Sequence, residues 1–170
     1  PPGRRLAAYR AMTRMLQVAA PVILKLRESR GREDPARRPE RLGIASRPRP
    51  DGRLVWLHAA SVGEANVTLP LMDALRAVRP ELHFLLTTGT VTSAALAARR
   101  LGPGDIHQYV PLDTPEFVAR FLDHWRPDLA IFAESEIWPN LIVESAARGV
   151  RLALVNGRMS NRSYNRWRRS

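Results

Sequence analysis

Cysteine is absent from the 170 residues, which excludes a disulfide framework and any thiolate metal site. The four histidines, His58, His83, His107 and His124, are scattered with no HxH or HExxH spacing, so a metal site is not expected. Aromatic residues make up only 6% and do not interleave with the arginines, so no platform for stacking single-stranded bases is visible. Acids are also scarce. Sixteen Asp and Glu stand against 27 Lys and Arg, a formal charge of +11, which favours anionic partners. No apolar run is long. Met15–Leu24 is about half of the ~20 residues that a transmembrane helix needs. The chain starts at Pro1 rather than a methionine and ends in "NRWRRS". It reads as a piece of a longer protein, with no signal peptide at its start.

What is present suffices for one domain with a core, since 45% of the residues are hydrophobic. Residues 1–30 read as a basic-flanked helix, suited either to a membrane interface or to packing on protein. Residues 31–52, rich in Arg, Pro and Gly, read as an irregular basic linker with at most a short helical turn. From residue 53 to 170 the pattern alternates. Strands are expected at Leu54–His58, His83–Thr87, Gln108–Pro111, Leu129–Glu134 and Leu152–Asn156. Helices are expected at Gly63–Val78, Thr92–Leu101, Pro115–Trp125, Trp138–Arg148 and after Ser160. Short apolar strands alternating with helices predict an α/β fold, a Rossmann-like doubly wound parallel sheet.

In such a sheet ligands bind at the carboxyl ends of the strands, where the strand order reverses. With the order 3-2-1-4-5, the first and fourth strands flank that crevice. They end in "HAASVGE" and "IFAESEIWPN", which directs Glu64 and Glu134 to one cleft. Each acid has a second reading. Glu64 follows Ser61 in the S-x-x-E spacing of a capping box, and Glu134 and Glu136 precede a helix whose dipole favours acids. A paired role is acid–base chemistry on a hydroxyl nucleophile. "TTGTVTSA" offers Thr88, Gly89 and Thr90 at a helix start, where backbone N–H groups can hold a phosphate or a sugar, or the hydroxyls serve as caps. It lacks the nucleotide-triphosphate loop pattern. "NGRMSNRS" places Arg158 at the same edge, for an anion or for solvent.

Together "ERLG", "WLHAASVGE", "TTGTVTSA", "ESEIWPN" and "NGRMSNRS" resemble, in order and spacing, the 3-deoxy-D-manno-octulosonic acid (Kdo) transferases of lipopolysaccharide synthesis. The resemblance covers the chain from about Glu40 onward. It implies the N-terminal, acceptor-binding half of a GT-B glycosyltransferase, whose other half holds the donor CMP-Kdo. It further implies an inverting, metal-independent transfer, with no cofactor, to a lipid A precursor at the cytoplasmic face of the inner membrane. By position in the motifs, Glu64 corresponds to the family's catalytic base and Glu134 to the acid that supports the transition state. Ser61, Gly63, Thr88, Gly89, Thr90, Glu136, Asn140 and Arg158 correspond to the acceptor-binding set. "NGRMS" departs from the family's more frequent Asn-Ala-Arg, which leaves Arg158 in place. The anionic membrane surface is an expected partner, and nucleic acid is not. Two rivals remain at this stage: another GT-B glycosyltransferase half, and a basic Rossmann-like module that binds anionic partners.

Overall fold

The computed structural model describes residues 3–133 and 138–157. Five parallel strands form one sheet in the order β3-β2-β1-β4-β5: β1 Leu54–Ala59, β2 His83–Thr88, β3 Ile106–Tyr109, β4 Leu129–Ala133 and β5 Arg151–Val155. The helices, in chain order, are α1 Arg4–Glu28, α2 Arg38–Arg41, α3 Val62–Val78, α4 Val91–Arg100, α5 Pro115–Trp125 and α6 Pro139–Ala147. The order reverses between β1 and β4, which is the common doubly wound order assumed from the sequence.

All six β1 residues are buried, because helices cover both faces of the sheet. On one face Trp56, Phe132 and Leu85 pack under α5 and α6 with Phe121, Leu122 and Trp125. On the other, Val55, Leu57, Phe84 and Leu86 pack under α3 with Leu69 and Met72. Side-chain alternation along each strand divides the core between these two layers.

Two expectations shift. The third strand begins at Ile106 rather than Gln108, since Ile106 pairs with Leu85 directly after the Gly102–Asp105 loop. Regular pairing ends at Tyr109, although the Val110 N–H still donates to Thr88 O at 3.0 Å. Pro111 has no N–H to continue the ladder. The Arg/Pro-rich segment, expected to be a linker, is docked on the domain. Its Glu40 is buried and accepts the Tyr109 N–H at 2.7 Å, and Arg37 donates to His107 O at 2.9 Å. These side chains occupy backbone groups on the open edge of β3, where another strand would otherwise pair. Gly43 fits against the backbone of α5 with φ of +77°, where a Cβ would lie 2.0 Å from Phe117 O.

Helix α1 lies against α5 and α6 through polar contacts. Tyr9 donates to Asp113 at 2.8 Å, and Asn140 Nδ2 donates to the Thr13 hydroxyl at 3.1 Å. Its outward side carries Met15, Val18 and Val22, which are 78%, 86% and 72% exposed. The inward side of α1 buries Thr13, Ala20 and Leu24, so large apolar side chains are left on the outward side in addition to those the domain covers.

Candidate active site

Three strand-to-helix connections meet at the carboxyl end of the sheet. The first leaves β1 at Ala59 and enters α3 with Ser61 as N-cap. The Ser61 Oγ accepts the Glu64 N–H at 3.3 Å, and its hydroxyl donates to Glu64 Oε1 at 3.0 Å. Glu64 Oε2 accepts the Ala60 N–H at 2.8 Å. The carboxylate thus reaches one residue further back than in an ordinary capping box, where the N-cap N–H is the donor. Glu64 is 5% exposed and is held at both oxygens.

The second connection leaves β2 at Thr88 and enters α4 with Thr90 as N-cap. Here Thr90 accepts the Ser93 N–H at 3.1 Å and Ser93 Oγ accepts the Thr90 N–H at 3.2 Å, a reciprocal box built without charge. Between the two turns, the Gly89 N–H donates to Ala60 O at 3.1 Å. A Cβ on residue 89 would lie 2.7 Å from that oxygen, so glycine is what lets the turns touch.

A buried arginine fixes the second and third connections. Arg41 donates through Nε to Glu33 at 2.8 Å, through Nη1 to Val110 O at 3.1 Å and through Nη2 to Gly89 O at 2.6 Å. Its side chain is only 4% exposed, and Glu33 offsets its charge. Glu33 also receives Arg27 Nε from the last turn of α1 at 2.6 Å. Arg27, Glu33 and Arg41, with Ala60, Ser61, Gly89, Thr90, Val110, Pro111, Leu112 and Trp138, line a cavity of about 380 Å³ over the strand ends. A larger cavity, about 670 Å³, lies beside the β3 edge. Its Arg37 and Asp105 are already paired, to Glu40 and Arg76, and it lacks the turns that close the strand ends.

Of the residues expected at the site, Ser61, Gly89 and Thr90 line the smaller cavity. Gly63 is exposed in the first turn of α3. Glu64 stands one hydrogen bond behind the cavity wall, through Ser61. Two others point inward. Thr88 is buried and bonded to His107 Nε2 at 2.9 Å. Asn140 is buried at the start of α6, where its Nδ2 donates to Asp113 O at 2.6 Å. Asp113 in turn accepts the Asn140 and Leu141 N–H groups at 3.1 and 2.9 Å, capping α6 from a distance. Burial pushes the Asp113 carboxyl above its usual range, and the Tyr9 and amide hydrogen bonds oppose that rise. Glu134, Glu136 and Arg158 lie outside the described residues. Glu134 directly follows β4, the neighbour of β1. Among the described residues no group of acids and histidines has a metal-binding arrangement.

Arg27, Glu33 and Arg41 were not singled out from the sequence. Arg27 read only as a basic flank of the N-terminal helix, Glu33 as a charge in the Pro/Gly-rich stretch, and Arg41 carried no role of its own within "ERLG".

A family description given as 3-Deoxy-D-manno-octulosonic-acid transferase (kdotransferase) matches residues 36–170. The probable mitochondrial 3-deoxy-D-manno-octulosonic acid transferase of Arabidopsis thaliana is 40% identical over 159 residues, covering 94% of this chain and 36% of that protein. The 3-deoxy-D-manno-octulosonic acid transferase of Rickettsia bellii is 42% identical over 148 residues, 87% of this chain and 35% of the relative. That of Haemophilus influenzae is 35% identical over 161 residues, 91% of this chain and 37% of the relative. The chain spans about a third of the length of these relatives. With its parallel sheet and its turns at the strand ends, it belongs to the 3-deoxy-D-manno-octulosonic-acid transferase family.

Proposed function

We propose that the whole protein transfers Kdo from CMP-Kdo to a lipid A precursor, and that this chain is its acceptor-binding half. The observation that carries the reading is the Glu64 carboxylate at the end of β1, one hydrogen bond from the cavity through Ser61. The acceptor's hydroxyl oxygen attacks the anomeric carbon of Kdo, and the bond from that carbon to the CMP phosphate oxygen breaks. CMP leaves with the electron pair. The hydroxyl proton passes to Glu64, either directly or with Ser61 handing on its own proton, so that charge does not build on the attacking oxygen. The fixed Ala60 N–H and Ser61 hydroxyl hold the carboxylate in place before reaction. Glu134 supports the positive charge that develops on the sugar. The donor sits mainly on the half of the protein beyond this chain.

The reading extends to a membrane surface. The outward side of α1 exposes Met12, Met15, Leu16, Val18, Val22, Ile23 and Leu26, flanked by Arg4, Arg5, Arg14 and Lys25. No helix among the described residues is long and apolar enough to cross a membrane. An apolar strip edged with cations suits the interface of an anionic bilayer, where each Lys or Arg contributes about 1 kcal/mol. Replacing Met15, Val18 and Val22 with Glu should abolish flotation on anionic vesicles while leaving the melting temperature nearly unchanged. Undiminished flotation would remove α1 from the membrane contact.

The test of the transfer is an assay of the full-length protein with CMP-Kdo and a lipid A precursor, in parallel with UDP-sugars. Kdo transfer from CMP-Kdo alone is expected. Transfer from a UDP-sugar instead would overturn the donor assignment.

A further inference from the structure

We infer that Arg27, from the last turn of α1, is an anion-binding residue of the acceptor cavity and receives a phosphate group of the bound glycolipid. The inference rests on the transfer reaction proposed above for its occupant, and on the cavity for its chemistry. The cavity lining contains two guanidiniums and one carboxylate, Arg27 and Arg41 against Glu33. The two arginines are used differently. Arg41 is buried, and its Nε, Nη1 and Nη2 are all spent on Glu33, Val110 O and Gly89 O. Arg27 uses only Nε, on Glu33 Oε1 at 2.6 Å, and its side chain is 40% exposed. Its two Nη groups have no hydrogen-bond partner among the described residues.

Glu33 therefore works as a clasp. It is 2% exposed and fixed by Arg41, and it holds the Arg27 guanidinium by one edge. The donors left over form a planar fork suited to the oxygens of a phosphate. The Glu64 carboxylate stands behind Ser61, so the end of the lining that favours an anion is the one formed by Arg27, while the Ser61 and Thr90 hydroxyls suit a sugar. Because Arg27 belongs to the helix whose outer side is apolar, the residue that reads the acceptor's phosphate is tied to the element proposed to rest on the lipid surface.

The experiment uses the full-length enzyme in neutral-detergent micelles, with the phosphorylated acceptor and its dephosphorylated counterpart. Arg27→Gln should raise KM for the phosphorylated acceptor roughly tenfold to a hundredfold, the worth of one charge-assisted hydrogen bond. The rise in KM should be several-fold larger for the phosphorylated than for the dephosphorylated acceptor, and should exceed any change in kcat. Arg27→Lys should restore part of the loss. Equal losses on both acceptors would mean that Arg27 only supports Glu33 and Arg41, and would overturn the inference. So would a loss that appears only on anionic phospholipid vesicles, which would assign Arg27 to the bilayer headgroups. A binding arm is independent of turnover: by NMR titration, glucosamine 1-phosphate should bind the wild type more tightly than Arg27→Gln, with glucosamine showing no such difference. If the wild type transfers no Kdo, the reaction assignment fails, and the titration still decides the role of Arg27. Equal binding of the sugar phosphate by both forms would overturn it.

Discussion

Two turns lie side by side at the carboxyl end of this sheet, and they cap their helices with different third residues. Both begin with a hydroxyl N-cap, Ser61 in one and Thr90 in the other, that accepts the N–H three residues on. In the α4 turn the return bond comes from Ser93, a small neutral side chain. In the α3 turn it comes from Glu64, a buried carboxylate that reaches past the cap to Ala60. Helix α5 is capped by Thr114 and has Phe117 at the same third position, with no return bond from a side chain. The fold therefore closes a helix start without a carboxylate in two of these three cases. Removing an acid from water carries a cost that capping alone does not demand. Glu64 does cap its helix, and the comparison with Ser93 supports the proposal that its charge serves the reaction as well.

The largest effect that would sharpen this contrast is on rate. Glu64→Gln keeps shape and a carbonyl oxygen for the Ala60 N–H but loses the capacity to take a proton. In the full-length enzyme it should lower kcat by roughly 10²–10⁴-fold while the melting temperature holds. The strands that deliver the two turns are joined by His58 Nδ1 and the Thr87 hydroxyl, 2.9 Å apart. Burial lowers the His58 pKa from 6.5 to about 4. Between those values the unfolded chain binds more protons, so this stability is complete above pH 6.5 and is lost as pH falls toward 4. Roughly 3 kcal/mol is at stake. Melting temperatures across that range should fall on acidification, and His58→Asn should reduce the slope, leaving the part due to His107, whose pKa burial and the nearby Arg37 lower to about 3. An unchanged slope would show that His58 does not set it.

Gly89→Ala is expected to cost roughly 1–3 kcal/mol by forcing the turns apart against Ala60 O. Denaturant unfolding measures it, and a neutral result would mean that the turns are not held in contact. The smallest effect belongs to the uncharged counterpart of Glu64. Ser93→Ala should cost about 1 kcal/mol of stability, as a lost cap does, and leave transfer near wild type. If Ser93→Ala instead lowered the rate as Glu64→Gln does, the two turns would not be functionally distinct.

The parallel α/β sheet was legible because short apolar strands, helices between them and right-handed crossovers leave few arrangements; its strand order was assumed to be the common one, and the position of Glu64 followed from its turn. The S-x-x-E spacing also foretold the cap at α3. The direction of individual side chains was less legible. Thr88 and Asn140 sit in the motifs that form the site, yet strand alternation buries the first and the Asp113 cap buries the second. The Arg41 brace was illegible for a different reason. A charged residue in a Pro-rich segment looks solvated until the carbonyls of Gly89 and Val110, 48 and 69 residues away, are brought to it. For α1 the composition showed basic flanks around a short apolar stretch. Which side faced inward depended on Asp113 and Asn140, which offer polar partners to Tyr9 and Thr13.

The central claim is that Glu64 takes the acceptor's proton, and the pH dependence of kcat/KM for the acceptor tests it most directly. In the full-length wild type, log(kcat/KM) should rise with unit slope on the acid side to a plateau, as the base loses its proton. The residual activity of Glu64→Gln should lack that limb. The same acid limb in both enzymes, or a Glu64→Gln rate near wild type at the plateau, would contradict the account and leave Glu64 as a cap alone.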